Sequence, residues 1–329
     1  MGSSTQAFTS NICGIRKEEQ AMRVAHVSDQ VARVVFLVCA ILLVLIMLGV
    51  FIIIGSSAFR IFFEGATVKG FFFSTFWDPT GAADPSGNGM PSYGAGGLIL
   101  GSIITTVLSV IIASPLSIGL ALLFTEAAPK WLTNLLQPLI EIFTGMPSVV
   151  IGFLGLVVLV PFLRVVAAPI TGNSAVGGFG WAAATLVLVV MIMPTIISIS
   201  IDALRAVPGS IREASLALGS TRWQMMKNAV IPAAMAGLGT AVVLGMARAI
   251  GETLAVALVL GGSQVPDKIF SLQAFFGPNV NITQQIAQDF GETLGAARDA
   301  YWTLAGVLLV ISFIFICISR YMISRSAYQ

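Results

Sequence analysis

The chain has 329 residues, 57% of them hydrophobic and only 10% charged, with a mean hydropathy of +0.94. Soluble domains carry about 25% charged residues, so a soluble fold is excluded and an all-α polytopic membrane protein is expected. The formal net charge of +2 says little about partners, and no nucleic-acid partner is expected.

Residues 1–33 form a polar N-terminal segment that holds the single histidine, His26. With no second histidine to share a metal, His26 reads as a solvated side chain. So long a polar lead argues against a secretory signal, and Gln6 misses the Ser or Thr of a myristoylation signal. Cys13, Cys39 and Cys317 offer no disulfide framework, and the last two lie in apolar stretches as small hydrophobes.

A spanning helix needs about 20 mainly apolar residues, because lipid leaves backbone groups no partners but their own. Six stretches qualify: 34–58, 97–124, 132–163, 179–201, 233–262 and 300–319. The third is interrupted by Gly145-Met146-Pro147, which predicts a kink or a break there. The second opens on Gly97 and Gly101, a spacing that permits close helix packing. Residues 97–320 make the core, with long external segments at 59–96 and 263–299 and a tail at 321–329. Both external segments are rich in aromatics, FFFSTFW at 71–77 and AFF at 274–276. These read as anchors at the membrane interface, with docking of an external partner as the alternative.

Positive charge orients the chain. With the N-terminus inside, eleven Lys and Arg fall in cytoplasmic segments, Arg205, Arg212 and Lys227 among them. Five fall outside: Arg60, Lys69, Arg164, Lys268 and Arg298. Both termini are therefore expected in the cytoplasm.

The cytoplasmic stretch 202–232, DALRAVPGSIREASLALGSTRWQMMKNAVIP, predicts a hairpin of two short amphipathic helices. Ser210 and Glu213 fit a capping box. Ile211, Ala214 and Leu218 then line one face, and Gly219 suits the left-handed stop. Ser220 or Thr221 caps a second helix up to Pro232. By itself the hairpin reads equally as an interfacial segment touching lipid headgroups. Its Glu213-Ala214-Ser215, Gly219 and Ala229-Val230-Ile231-Pro232 resemble the EAA motif of ABC importer permeases, with Ser215 in place of the third small residue. That resemblance implies a coupling helix seated on a cytoplasmic ATPase, with Glu213, Ala214, Gly219, Arg222 and Pro232 carrying the role. No lysine in the chain follows a glycine, so the phosphate-wrapping loop of an ATPase is expected on a separate chain.

Three ionisable residues remain inside the predicted spans: Glu141, Arg248 and Glu252. An arginine near a bilayer centre costs roughly 2.5 to 17 kcal/mol. Arg248 and Glu252 are four apart, hence on one face if the helix is continuous. Two readings follow, an internal ion pair that fixes packing and an anion site on a transport path. The guanidinium fork matches phosphate oxygens, and Glu252 beside it suits an anion that still carries a proton. Glu141, just before the Gly145–Pro147 break, reads as counter-ion to Arg248 or as a cap for the broken helix.

EIFTGMPSVVIGFLGL (141–156), the hairpin, GMARAIGETLAV (245–256) and NITQQIAQDFGETLGAARDAYW (281–302) together resemble the PstC-type permeases of the phosphate (Pst) ABC importers. The resemblance implies a type I importer permease, a MetI-like core of five helices preceded by an N-terminal span, in the bacterial inner membrane. It implies a PstA-like permease partner, a PstB-like ATPase inside and a PstS-like phosphate-binding protein outside. No catalytic residue, metal or cofactor is expected on this chain. The rivals are a permease for another oxyanion or solute, the sister PstA-type subunit, and an ATP-independent secondary transporter.

Overall fold

A computed structural model describes residues 3–63, 65–82, 89–172, 177–262, 264–266 and 271–326. Side chains are described within 30–321, residue 273 excepted, so Lys268 and the side chains of Cys13 and His26 lie outside the described residues. The chain divides into two compact units, Met1–Ser56 and Ser57–Gln329. The first belongs to one helix, Ser3–Ser57, so the polar segment and the first span share a continuous backbone. From Val34 to Ile53 its apolar side chains are exposed on every side, as befits a helix that meets lipid.

Among the described residues six helices are long and apolar enough to cross a membrane: Gln30–Phe63, Gly96–Ala127, Ser148–Thr171, Trp181–Arg205, Arg222–Ile250 and Ala296–Tyr321, the first to sixth spans. The starts of the third and fifth spans differ most from expectation, and their ends move with them, to Thr171 and Ile250. The third span starts at Ser148 rather than 132. Met146, forced extended by the proline that follows (φ −66°, ψ 136°), ends a separate helix, Lys130–Gly145, which buries no residue. The fifth span starts eleven residues earlier than expected, at Arg222, because the second hairpin helix runs into it. There the Ile231 N–H reaches the Met226 carbonyl in a π turn, Met226–Val230. That wide turn passes Pro232, which has no N–H to donate and whose ring crowds the preceding turn.

The fourth span is the hub. Its apolar run is hydrophobic all round, and 67% of its most apolar window is buried. Its first half packs with Ile151, Ala241, Ala255 and Val259. Its second half packs with Leu122, Phe124, Met225 and Leu238. The second, fourth and sixth spans run one way, and the third and fifth return.

Where those three spans begin, the segment 59–96 folds over the core as two short helices, Arg60–Phe63 and Val68–Phe73, and a ribbon pairing Trp77 with Tyr93. Phe71 and Trp77 are buried with Leu98, Ile282 and Tyr301. Their rings meet edge to face, Trp77 lying 5.6 Å from Tyr301. These two aromatics thus build a small core instead of anchoring at an interface or docking a partner, whereas Phe63 and Phe73 stay exposed. Gly101 lets the Val280 carbonyl and the Trp181 ring approach the second span, at 2.7 and 2.9 Å from where a Cβ would stand.

Candidate functional site

The expected continuous helix over 233–262 is broken. Helix Ile231–Ile250 ends, Gly251–Thr253 are irregular, and a second helix, Leu254–Leu260, resumes. Gly251 is the residue that loses most freedom in a helix, and its neighbours supply other partners for the freed backbone. Glu252 Oε1 accepts from the Ala255 N–H at 3.1 Å, capping the second helix. The Glu252 carbonyl accepts from the Thr283 hydroxyl at 3.1 Å. Thr283 belongs to helix Ile282–Asp289, in the segment 263–299, which reaches down to the break. Irregular backbone at membrane depth survives only where protein buries it or where it lines a wet cavity.

Arg248 therefore lies in the last turn of a helix and not at mid-span. The negative end of the helix dipole favours a cation there, which lowers the cost of placing it. Arg248 and Glu252 do not share a helical face. Among the described residues they form no ion pair, so the expected packing clamp is not made. Arg248 Nη1 instead donates to Thr195 Oγ1 of the fourth span at 3.1 Å. The side chain is half-buried, and its other donors have no hydrogen-bond partner among the described residues. Gly245, one turn earlier, sets this approach: a Cβ there would stand 2.6 Å from Ile196 Cγ1. A cationic fork held at one corner and open at the others is suited to an oxyanion.

Glu141 is not brought to this place. It is exposed on helix Lys130–Gly145 and accepts from Gln137 Nε2 at 3.2 Å. It neither meets Arg248 nor caps the break, whose following helix has Pro147 at its start and no side-chain cap.

The hairpin's first helix is Gly209–Ala217. Pro208 starts it, so Ser210 falls inside the first turn and the expected capping box with Glu213 is not formed. The box forms instead at Thr221 and Gln224. Gly219 is left-handed (φ 83°), and the N–H groups of Gly219 and Ser220 return to the carbonyls of Leu216 and Ser215, a Schellman stop. Ser215, the departure from the EAA pattern, pairs its hydroxyl with that of Ser220 at 2.8 Å. The inward face is Ile211, Arg212 and Ser215, not Ile211, Ala214 and Leu218. Glu213, Ala214, Gly219, Arg222 and Pro232 are all exposed, as are Leu218 (90%) and Trp223 (64%).

The turn inward of Arg212 is the feature sequence reading missed. Its Nε donates to Glu126 Oε1 at 2.9 Å, Nη1 to the Val207 carbonyl at 2.7 Å and Nη2 to the Leu204 carbonyl at 2.9 Å. Arg212 counted only as a cytoplasmic charge, and Glu126 lay just past the predicted second span. Thr195, after Pro194 in an otherwise apolar run, was the one available signal for the partner of Arg248.

With that geometry in place, comparison with known proteins gives the class. The chain belongs to the family of binding-protein-dependent transport system inner membrane components, matched over residues 113–327. It is similar to a probable ABC transporter permease, YqgH of Bacillus subtilis, 41% identical over 89% of this chain and 90% of that one. It is similar as well to phosphate transport system permease proteins PstC. The Xylella fastidiosa protein is 35% identical over 78% of each chain, and that of Haemophilus influenzae 35% over 78% of this chain and 81% of its own. The fold is that of the MetNI methionine ABC transporter permease, with a TM-score of 0.52 at 21% identity over 70% of this chain and 96% of that one. A bacterial alginate ABC transporter chain gives the same TM-score at 16% identity, over 70% and 78%. The likeness to PstC-type permeases and the MetI-like importer fold, six spans included, agree with the sequence reading.

Proposed function

We propose that this chain is the PstC-type subunit of an ATP-driven importer that carries inorganic phosphate across the bacterial inner membrane. The observation that carries the proposal is the half-buried Arg248 fork, held by Thr195 at the break of the fifth span with no carboxylate among the described residues to neutralise it. A permanent cation at such depth is a functional feature by default. Phosphate fits the open donors, and Glu252, in the break that follows, accepts a hydrogen bond from the protonated anion through the oxygen that does not cap Ala255; sulfate at neutral pH has no proton to give. The PstC names among the relatives favour the C over the A subunit.

A PstA-like permease covers the face that carries Arg248, which lipid alone would leave unsolvated. A PstS-like protein delivers phosphate on the side of residues 59–96 and 263–299. A PstB-like ATPase engages the hairpin through Glu213, Ala214, Gly219 and Arg222, with Pro232 at its foot and both termini on the same cytoplasmic side. ATP hydrolysis belongs to that partner, and this chain brings no cofactor. Glu141 has no part beside Arg248.

Reconstitution of the complex in vesicles tests this reading. Phosphate uptake should require both ATP and the binding protein, and sulfate should compete poorly. Uptake of another solute in preference, or uptake that persists without ATP, would sink it.

A further inference from the structure

We infer that Arg212 is the joint through which motion of the hairpin reaches the spans, a positioning residue for transport. The inference rests on the reading of that hairpin as the ATPase-coupling element. Helix Gly209–Ala217 buries no residue. Only Ile211, Arg212 and Ser215 turn toward the body of the protein. Ile211 contributes an apolar contact, which is non-directional and permits sliding. Ser215 bonds within the hairpin itself, to Ser220.

Arg212 is different in kind. Its planar fork engages the Glu126 carboxylate and the carbonyls of Leu204 and Val207 together. Leu204 lies in the last turn of the fourth span, and its carbonyl, which also accepts from the Val207 N–H at 3.3 Å, keeps a lone pair for the guanidinium. Glu126 lies in the π turn Leu123–Ala127 that closes the second span. One side chain thus binds the ends of two spans that are 78 residues or more from each other in sequence. Among the described residues the other ties between the hairpin helix and the fourth span are the chain itself through Pro208 and the apolar contact of Ile211, neither of which is a directional bond that sets the angle between them. Arg212 fixes that angle, since charge-assisted bonds to a rigid fork are directional.

The fourth span then carries the motion onward. Thr195, the partner of Arg248, precedes Leu204 by nine residues, roughly 14 Å along a helix. A pull on the Leu204 carbonyl therefore moves the residue that holds the Arg248 fork. Arg212 itself touches no substrate.

The test is the number of phosphate ions imported per ATP hydrolysed by the whole reconstituted complex, for wild type, Arg212→Gln, Arg212→Lys and Glu126→Gln. The ATPase should remain bound in all four, because Glu213, Leu218 and Trp223 stay as they are. Arg212→Gln should hydrolyse ATP yet lower the transport ratio about tenfold, the scale of one lost charge-assisted hydrogen bond. Arg212→Lys, a point charge without the fork, and Glu126→Gln should fall in between. A wild-type ratio for Arg212→Gln overturns the inference, and if that variant fails to assemble, a wild-type ratio for Glu126→Gln overturns it equally. A wild-type complex that moves no phosphate with ATP would instead overturn the functional reading beneath it.

Discussion

Arg248, in the last turn of the fifth span, donates from Nη1 to the hydroxyl of Thr195 in the fourth at 3.1 Å. The bond fixes one corner of a guanidinium that no carboxylate among the described residues neutralises, and it ties the site to the most buried of the spans. Loss of that corner should loosen the fork without removing the charge. Thr195→Val, which keeps the shape and deletes the hydroxyl, is expected to raise the KM for phosphate about tenfold, while Thr195→Ser stays near wild type. Initial uptake rates across phosphate concentrations check both.

The close approach of the two spans at Gly245 carries its own cost when filled. A Cβ there meets Ile196, itself fully buried, at 2.6 Å. Gly245→Val should destabilise the protein by about 1–3 kcal/mol, the range for overpacked cores. Ala247→Val, at an exposed position of the same helix, should change little. Thermal unfolding of the purified complex in detergent separates them.

Glu252 has two tasks that substitution can part. Its Oε1 caps helix Leu254–Leu260 through the Ala255 N–H, and Gln retains that acceptor. Glu252→Gln should therefore fold as wild type and lose preference for phosphate over sulfate in a competition assay. Glu252→Ala should lose the cap as well, at about 1 kcal/mol of stability. An unaltered preference in the Gln variant would show that Glu252 only holds the break together.

The exposed tip of the hairpin tests the ATPase contact. Leu218 is 90% exposed, so Leu218→Asp removes no internal packing and should shift permease stability by less than about 0.5 kcal/mol. It should nevertheless release the ATPase in co-purification. Retention of the ATPase at wild-type stoichiometry would place the contact elsewhere.

The spans were legible because apolar length is a strong signal, and so were the break at Pro147 and the left-handed stop at Gly219. The break at Gly251–Thr253 was not. The Gly251-Glu252-Thr253 interruption is short enough for a continuous helix to carry, and the break is held by Thr283 from a segment 31 residues further on. For the same reason Arg248 and Glu252 read as a pair on one face. Arg212 was misplaced for a related cause: its partners Glu126, Leu204 and Val207 come together only when two span ends converge. The aromatics of 71–77 read as surface features because their own segment gives no hint of Tyr301, against which Trp77 packs. Local chemistry was visible, and partners distant in sequence were not.

The central claim is that Arg248 serves the transported anion. It is tested most directly by ATP- and binding-protein-dependent phosphate uptake in vesicles holding the complex with Arg248→Gln, beside wild type. Gln is shorter and neutral, and Thr195 remains to satisfy it. The expected result is an assembled complex that still binds ATP and fails to import phosphate. Uptake equal to wild type would contradict it.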